Sequence, residues 1–317
     1  MTTASGLESQ LGFATESAFG TYETPDNFLE FTSESLKLER ERIDSMGIRA
    51  GRRVLHRWAA GVQRVTGDIE LELGPQGSGT LLKHMFGGVG TSGASDPYTH
   101  TFTPGQLDDK SLTIQFNRPD IDGTDRVFSY LGCSVTSWEL ACAVNEYLKL
   151  TCSIFGSHED TAQSLASATY PTGYSPFVFT QGSLTIAGGA YDIKEFTLTG
   201  DNGLATDRHF IQASNPERPK IAKEANRRQY GGTLISDFED LTAYNRFVSG
   251  TEAALVLTFT QSASRSLVIT CNVRFDGETP NVSGYELLEQ SLPFVCTSGT
   301  SDAAAITAVL KNADATV

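Results

Sequence analysis

The sequence predicts a mainly β protein with roughly two helices, built as one β-rich fold duplicated in tandem. Three observations carry that expectation. Apolar residues fall in short alternating runs bounded by Gly, Asp, Asn or Ser, only two stretches combine helical spacing with stop signals, and strand-like blocks recur in order on either side of a Ser/Ala/Thr-rich segment. At 317 residues the chain is long enough for two domains and for cores that need no covalent staples.

The clearest strand is Val65–Leu73, with Ile69, Leu71 and Leu73 on one face and Asp68, Glu70 and Glu72 on the other. Further strands are expected at Ser111–Phe116, Phe177–Thr180, Leu184–Ile186, Phe196–Thr199, Ala254–Thr260 and Leu267–Phe275, and Trp138–Phe155 reads as two strands turning near Asn145-Glu146. Thr80–Phe86 is expected to be a helix, with Ser78 at its N-cap and Gly87-Gly88 as a stop. A stronger helix signal covers Asp237–Val248. There Ser236 and Glu239 have capping-box spacing, Phe238, Leu241, Tyr244 and Val248 share a face, and Gly250 follows. Ala303–Leu310 fits a helix or an edge strand equally well.

Gly87–Pro97 and Gly156–Pro176 lack periodicity and read as a flexible loop and a linker. Across that linker, Phe31–Leu38 matches Phe179–Ile186, Gly67–Ile69 matches Gly232–Leu234, and Leu148–Ile154 matches Leu267–Val273. The expected division is therefore a first β domain over 1–156, which includes a long Arg-rich loop at 37–64, a linker over 157–176 and a second β domain over 177–317.

Composition narrows the function. Thirty-eight Asp+Glu against 24 Lys+Arg give a net charge of −14, which argues against a protein that grips nucleic acid along its whole surface. No run approaches the roughly 18 apolar residues needed to span a bilayer, so no membrane partner is expected. Met1–Gln10 has neither a positive start nor an apolar stretch, so no secretion signal is visible. The five cysteines form no CxxC pair and read as reduced, buried thiols of a chain folded in a cytoplasm.

Catalytic signatures are missing from the sequence. His56, His84, His100, His158 and His209 are scattered without ligand spacing, and no phosphate loop, dinucleotide turn or nucleophile elbow is present. Asp68, Glu70 and Glu72 alternate along one strand face, and like charges in a row favour water over the buried setting a general acid needs. Asp237 and Glu239 are better placed for capping than for catalysis, and Cys152 and Cys271 sit in strand positions that suit a core. No catalytic, cofactor-binding or metal-binding residue is assigned, and an enzyme is not expected.

Charge is distributed unevenly. Between Lys37 and Arg64 eight cations face three carboxylates, a net of +5 that leaves −19 for the remainder. Seven of the eight cations are arginines, which form bidentate, interface-making ion pairs. A nucleic-acid arm would interleave aromatics for stacking, yet Trp58 stands alone there. The preferred reading is an arm, carrying Arg40, Arg42, Arg49, Arg52, Arg53 and Arg57, that docks on the acidic surface of an identical neighbour. Such heterologous contacts close into rings or propagate as filaments.

The opening Gly12-Phe-Ala-Thr-Glu-Ser-Ala-Phe-Gly20-Thr-Tyr, with Pro25, Phe28–Phe31 and Ser33–Leu36, resembles the start of long-tailed bacteriophage tail tube (major tail) proteins. The basic loop before Val65-Thr-Gly-Asp-Ile-Glu-Leu, Phe275-Asp-Gly-Glu-Thr-Pro and Leu292-Pro-Phe are similar to the corresponding regions there. The resemblance implies a β-sandwich flanked by a helix, whose inner sheets join around a ring into a barrel. Rings stack into a hollow tube, a virion component assembled in the host cytoplasm, through which the genome passes without specific binding.

Some family members carry one fold per chain in hexameric rings, and others carry two and close as trimers. The repeat places this chain with the trimers, and the hexamer is the alternative. Tape-measure, tail-terminator and tail-tip proteins are the further partners implied. A conduit for DNA needs a lumen that repels phosphate, and Asp68, Glu70 and Glu72 are the candidate lumen-facing residues. The competing reading is a monomeric β-sandwich module that recognises carbohydrate or protein.

Overall fold

The computed structural model describes residues 6–317 apart from 278, 280, 281, 283, 284 and 286. Glu278 and Pro280 of the Phe275–Pro280 motif, and the first five residues of the Met1–Gln10 segment, therefore lie outside the described residues. The chain is mainly β, as the alternation predicts, with short helices α1 (Gly79–Phe86) and α2 (Thr242–Ser249).

Eight strands make up one broad antiparallel sheet. They are β1 (Lys37–Asp44), β2 (Trp58–Glu72), β3 (Val127–Ala143), β4 (Lys149–Gly156), β5 (Glu195–Asp201), β6 (Gln229–Asp237), β7 (Arg265–Phe275) and β8 (Glu289–Cys296). Their spatial order is β1-β2-β4-β3-β5-β6-β8-β7. Within each half the order is first, second, fourth, third. The halves meet where β3 pairs with β5, from Ala143↔Glu195 to Ser137↔Asp201.

β3 and β7 are the corner strands. The early part of β3 leaves the broad sheet to pair with Leu112–Asn117 and His158–Asp160, and Leu11–Thr15 extends that second layer. β7 pairs over Arg265–Val273 with Ala253–Ser262 and over Ser266–Cys271 with Ile306–Asn312, and joins β8 only through Val273–Phe275. Gly132, with φ 65°, stands at the bend of β3, and its N–H donates to Glu16 Oε1 at 2.7 Å. Glu16 also accepts from Ser111 and Thr113, so the bend is held by a buried, fully partnered carboxylate. Burial pushes the Glu16 carboxyl up, and the hydrogen bonds from Gly132 and Ser111 oppose that rise.

The core lies between the layers, with Ile69, Leu71 and Cys152 of the broad sheet facing Leu11, Phe13 and Ile114. At the junction of the halves, Phe86 of α1, Trp138 of β3 and Tyr230 of β6 pack at centroid separations of 5.4 to 6.5 Å. Arg228 of the second half donates to the Phe86 carbonyl at the end of α1 at 2.7 Å, beside the Gly105 N–H that the same carbonyl accepts at 2.8 Å.

Several elements depart from the sequence expectation. The stretch 37–64 is a β-hairpin, and only residues 45–57 are irregular, because Lys37–Asp44 pairs with Trp58–Thr66, with Glu39 directly opposite Arg64. Gly87–Ser92 pairs with Tyr98–Pro104 instead of remaining a loop. Phe179–Gln181 is a 3-10 turn, not a strand. The Asp237–Val248 helix begins only at Thr242, because Ser236 is a buried β6 residue hydrogen-bonded to Tyr191 and cannot cap. Of α2, only Ala243 is buried, while Leu241 and Val248 are exposed.

The carboxyl end forms a short helix, Asp302–Ala305, and then the strand Ile306–Asn312, which is paired on both sides and so is not an edge. Residues 157–176 lie against the first half, where Gln10 Nε2 donates to the Ala166 carbonyl at 2.7 Å and Phe28 contacts Tyr170. Two of the matched blocks occupy different places. Phe31–Leu38 leads into β1, whereas Gly182–Ile186 pairs with Ala253–Ser262 in the other layer. Leu148–Ile154 lies at β4 and Leu267–Val273 in β7, which hold different places in the strand order of their halves.

Gly200 of β5 packs face-on against the Trp138 indole, and a Cβ there would overlap the ring. Gly200→Ala is expected to lower stability by about 1–3 kcal/mol, the usual cost of overpacking. Urea unfolding measures it, and an unchanged midpoint would mean that the junction is not tightly packed.

Candidate assembly surfaces

Alternation along β2 to β6 decides what the broad sheet shows on its open face. Inward positions such as Ile69, Cys152, Leu140 and Leu198 are buried, so their neighbours point the other way. The register then aligns those neighbours across the sheet. Asp68 stands opposite Ser153, then come Ser137, Asp201 and Gln229; Glu70 stands opposite Thr151, then Glu139, Thr199 and Gly231. Glu72 aligns with Lys149, Ala141 and Thr197.

The face is therefore small, polar and acidic. The structure brings Asp68, Glu70 and Glu72 together on it and adds Glu139, Glu195 and Asp201, which the sequence reading passed over. Period-two alternation over 137–143 and 195–201 was the signal that could have found them. Ser153 Oγ donates to Asp68 Oδ1 at 2.7 Å, and Ser33 Oγ donates to Glu70 at 3.4 Å. None of these six carboxylates forms a salt bridge among the described residues, and cations in the aligned rows are drawn to other acids, Lys149 to Glu146 at 3.2 Å and Arg274, which the Glu70 row reaches through Val295, to Asp276 at 3.3 Å. A field of unneutralised carboxylates on a hydroxyl-rich sheet repels anions.

The second surface is the β1–β2 hairpin. Near its base Arg64 pairs with Glu39 at 3.1 Å and Glu41 at 3.5 Å, and Lys37 pairs with Glu39 at 3.2 Å. Hydrogen bonds from Lys37 and Arg64 hold the Glu39 carboxyl below the usual carboxylate range. Local acids are thus consumed at the base. Arg42 stacks over Trp58 at 5.4 Å, while Arg49, Arg52, Arg53 and Arg57 have no acidic partner among the described residues. Arg40, in β1, is also exposed. Large apolar side chains share the tip, with Met46 90% and Ile48 103% exposed, and Val54 and Trp58 exposed beside them. The sequence reading weighed the charges and missed the apolar half, although these residues were in plain view.

The matching connection in the second half behaves differently. Residues 202–228, between β5 and β6, fold back on the first half, where Gln63 N–H donates to the Glu217 carbonyl at 2.8 Å. Arg218 Nη1 donates to His158 Nε2 at 3.0 Å. Burial first, and then the Arg218 charge, hold His158 down to about 4, so it stays neutral and can accept that bond. One connection is stowed and the other projects.

Elsewhere the polar groups do structural work. Burial pushes the Cys152 thiol up to about 12 and Cys142 to about 11, far from a reactive thiolate. Among the described residues no group of three His, Cys, Asp or Glu side chains is arranged to hold a metal ion. A wide acidic sheet and an exposed cationic, apolar arm are the two distinctive surfaces of this β-rich chain. The chain belongs to the phage tail tube protein family, whose model matches residues 6–296. It is accordingly a structural component of a virion tail, one that associates with itself into a tube. No curated protein matches the chain.

An unpaired arm in irregular backbone is accessible to proteases. Limited trypsin treatment of the isolated subunit is expected to cut first after Arg49, Arg52, Arg53 or Arg57, leaving one fragment of about 50 residues and one of about 260 on mass spectrometry. First cuts in the 202–228 connection would mean that it, and not the arm, is the loose one.

Proposed function

We propose that this subunit closes into rings that stack as a genome conduit, with the open face of the β1–β8 sheet lining the lumen. The observation that carries the reading is the continuity of that acidic face across the β3–β5 junction, from β2 to β5. A wall facing moving DNA should offer phosphates no cation to settle on, since each neutralised phosphate strengthens binding. The exposed carboxylates of β2, β3 and β5 meet that need, and the serines, threonines and glycines between them leave the wall smooth.

Strand order supports a tandem duplication, with β1-β2-β4-β3 as one copy and β5-β6-β8-β7 as the other, the first within 1–156 and the second within 177–317. The β3–β5 pairing inside the chain then serves as a template for closure between chains. β1 has no strand partner on its outer edge among the described residues, and an unpaired edge invites another chain. A trimeric, pseudo-hexameric ring follows from two copies per chain. We further propose assembly in the host cytoplasm, with tape-measure, terminator and tip proteins meeting the tube along its bore and at its ends.

Purified protein at rising concentration is expected to give rings and then tubes by negative-stain microscopy, with ring symmetry counting the subunits. Replacing Arg49, Arg52 and Arg53 by alanine should leave melting unchanged and abolish tubes; normal tubes from that variant would exclude a role for the arm. For the wall, tubes of the Glu70→Lys, Glu139→Lys, Asp201→Lys variant should retain duplex DNA, with log K falling against log salt by about 0.9 per phosphate engaged. Wild-type tubes should not retain it, and equal behaviour of the two would remove this face from the lumen.

A further inference from the structure

Resting on the reading that copies of this chain build a tube, we propose that the arm of one copy docks on the α2 end of the next. The arm would seat on the surface formed by α2 and the adjoining ends of β6 and β8, so that copies join head to tail.

Register places the two surfaces at opposite ends of one sheet. From the arm at Trp58, β2 runs through the Asp68 row to the Glu72 row, which aligns with Thr197 and Thr233. β6 continues in the same direction to Asp237, opposite Glu289. The arm of a chain therefore points away from that chain's own α2 end, and only a second copy can bring them together.

The chemistry at the two ends is complementary. Asp237, Glu239 and Asp240 are exposed beside Glu289, and Lys194 spans Asp237 and Glu289 at 2.7 Å each. With Arg246 of α2 also counted, the cluster remains net negative, whereas the arm tip carries four arginines without acidic partners. Apolar groups match as well. Leu241 and Val248 are 56% and 63% exposed, a surface suited to Met46, Ile48 and Val54 of the arm. Two different patches that meet in this way form a heterologous contact, which extends along one direction. The acidic lumen face is a poorer receptor, because it lacks exposed large apolar side chains at Asp68, Glu139 and Asp201.

The test is a charge exchange read by negative-stain microscopy and sedimentation. Arg49→Glu, Arg52→Glu, Arg53→Glu in one variant, and Asp237→Lys, Glu239→Lys in another, should each leave single rings at concentrations where the wild type forms tubes. Both sets together should restore tubes. Leu241→Asp, which leaves the arm untouched, should also stop at rings, and wild-type tubes should fall apart to rings near 1 M salt, where the Debye length is about 3 Å. Circular dichroism and melting confirm that each variant is folded. Normal tubes from the Asp237→Lys, Glu239→Lys variant, failure of the combined variant to restore tubes, or loss of rings in the arm variant would overturn the docking site. Wild-type protein that stays monomeric would instead overturn the tube reading itself.

Discussion

Backbone pairing between β3 and β5 is the constraint on which the rest of this molecule depends. Seven residue pairs, from Ala143↔Glu195 to Ser137↔Asp201, turn two four-stranded runs into one sheet. Without that ladder each half would expose a central strand edge, with unpaired N–H and C=O groups that need partners. With it, the inward residues of both halves share a core around Phe86, Trp138 and Tyr230, and the outward residues form one uninterrupted surface. Register does the rest, since a shift by one residue would turn the carboxylates inward and the leucines outward.

Electrostatics follows from the same geometry. The sheet leaves its carboxylates in water, where like charges cost little, and gives them hydroxyl partners instead of cations. At the hairpin base the opposite choice is made, with Glu39 and Glu41 absorbing Lys37 and Arg64. What remains at the tip is cationic and apolar together, a combination that water solvates poorly on its apolar side and that a protein surface can satisfy on both.

Much of this was legible in the sequence. Alternation revealed β2, β3, β4, β5 and β7 and the acidic outward face, because burial imposes a period of two wherever one side of a sheet is wet. The same physics misled the matching of blocks. Leu148–Ile154 and Leu267–Val273 look alike because both bury every second residue, although one lies in β4 and the other in the corner strand β7. The start of α2 was missed because Ser236, spaced as a cap, spends its hydroxyl on Tyr191, a residue 45 positions away. Ile306–Asn312 was ambiguous because seven residues with alternate small side chains fit either period. The arm was found through its charge, but its apolar side chains were not weighed, and those distinguish a docking segment from a solvated loop.

The stowed 202–228 connection has a consequence for symmetry. If the halves are copies, one of two equivalent loops lies flat on its neighbour and the other stands free, so equivalence survives in the strands and is lost at the periphery. Covalent linkage makes that loss permanent. A chain of one fold must present the same outline at every position around a ring, whereas fused copies can specialise alternate positions and keep the bore uniform. The sequence on the outside of the sheet is then free to drift apart between halves, while an open face that lines a bore, as proposed, stays bound by a common requirement.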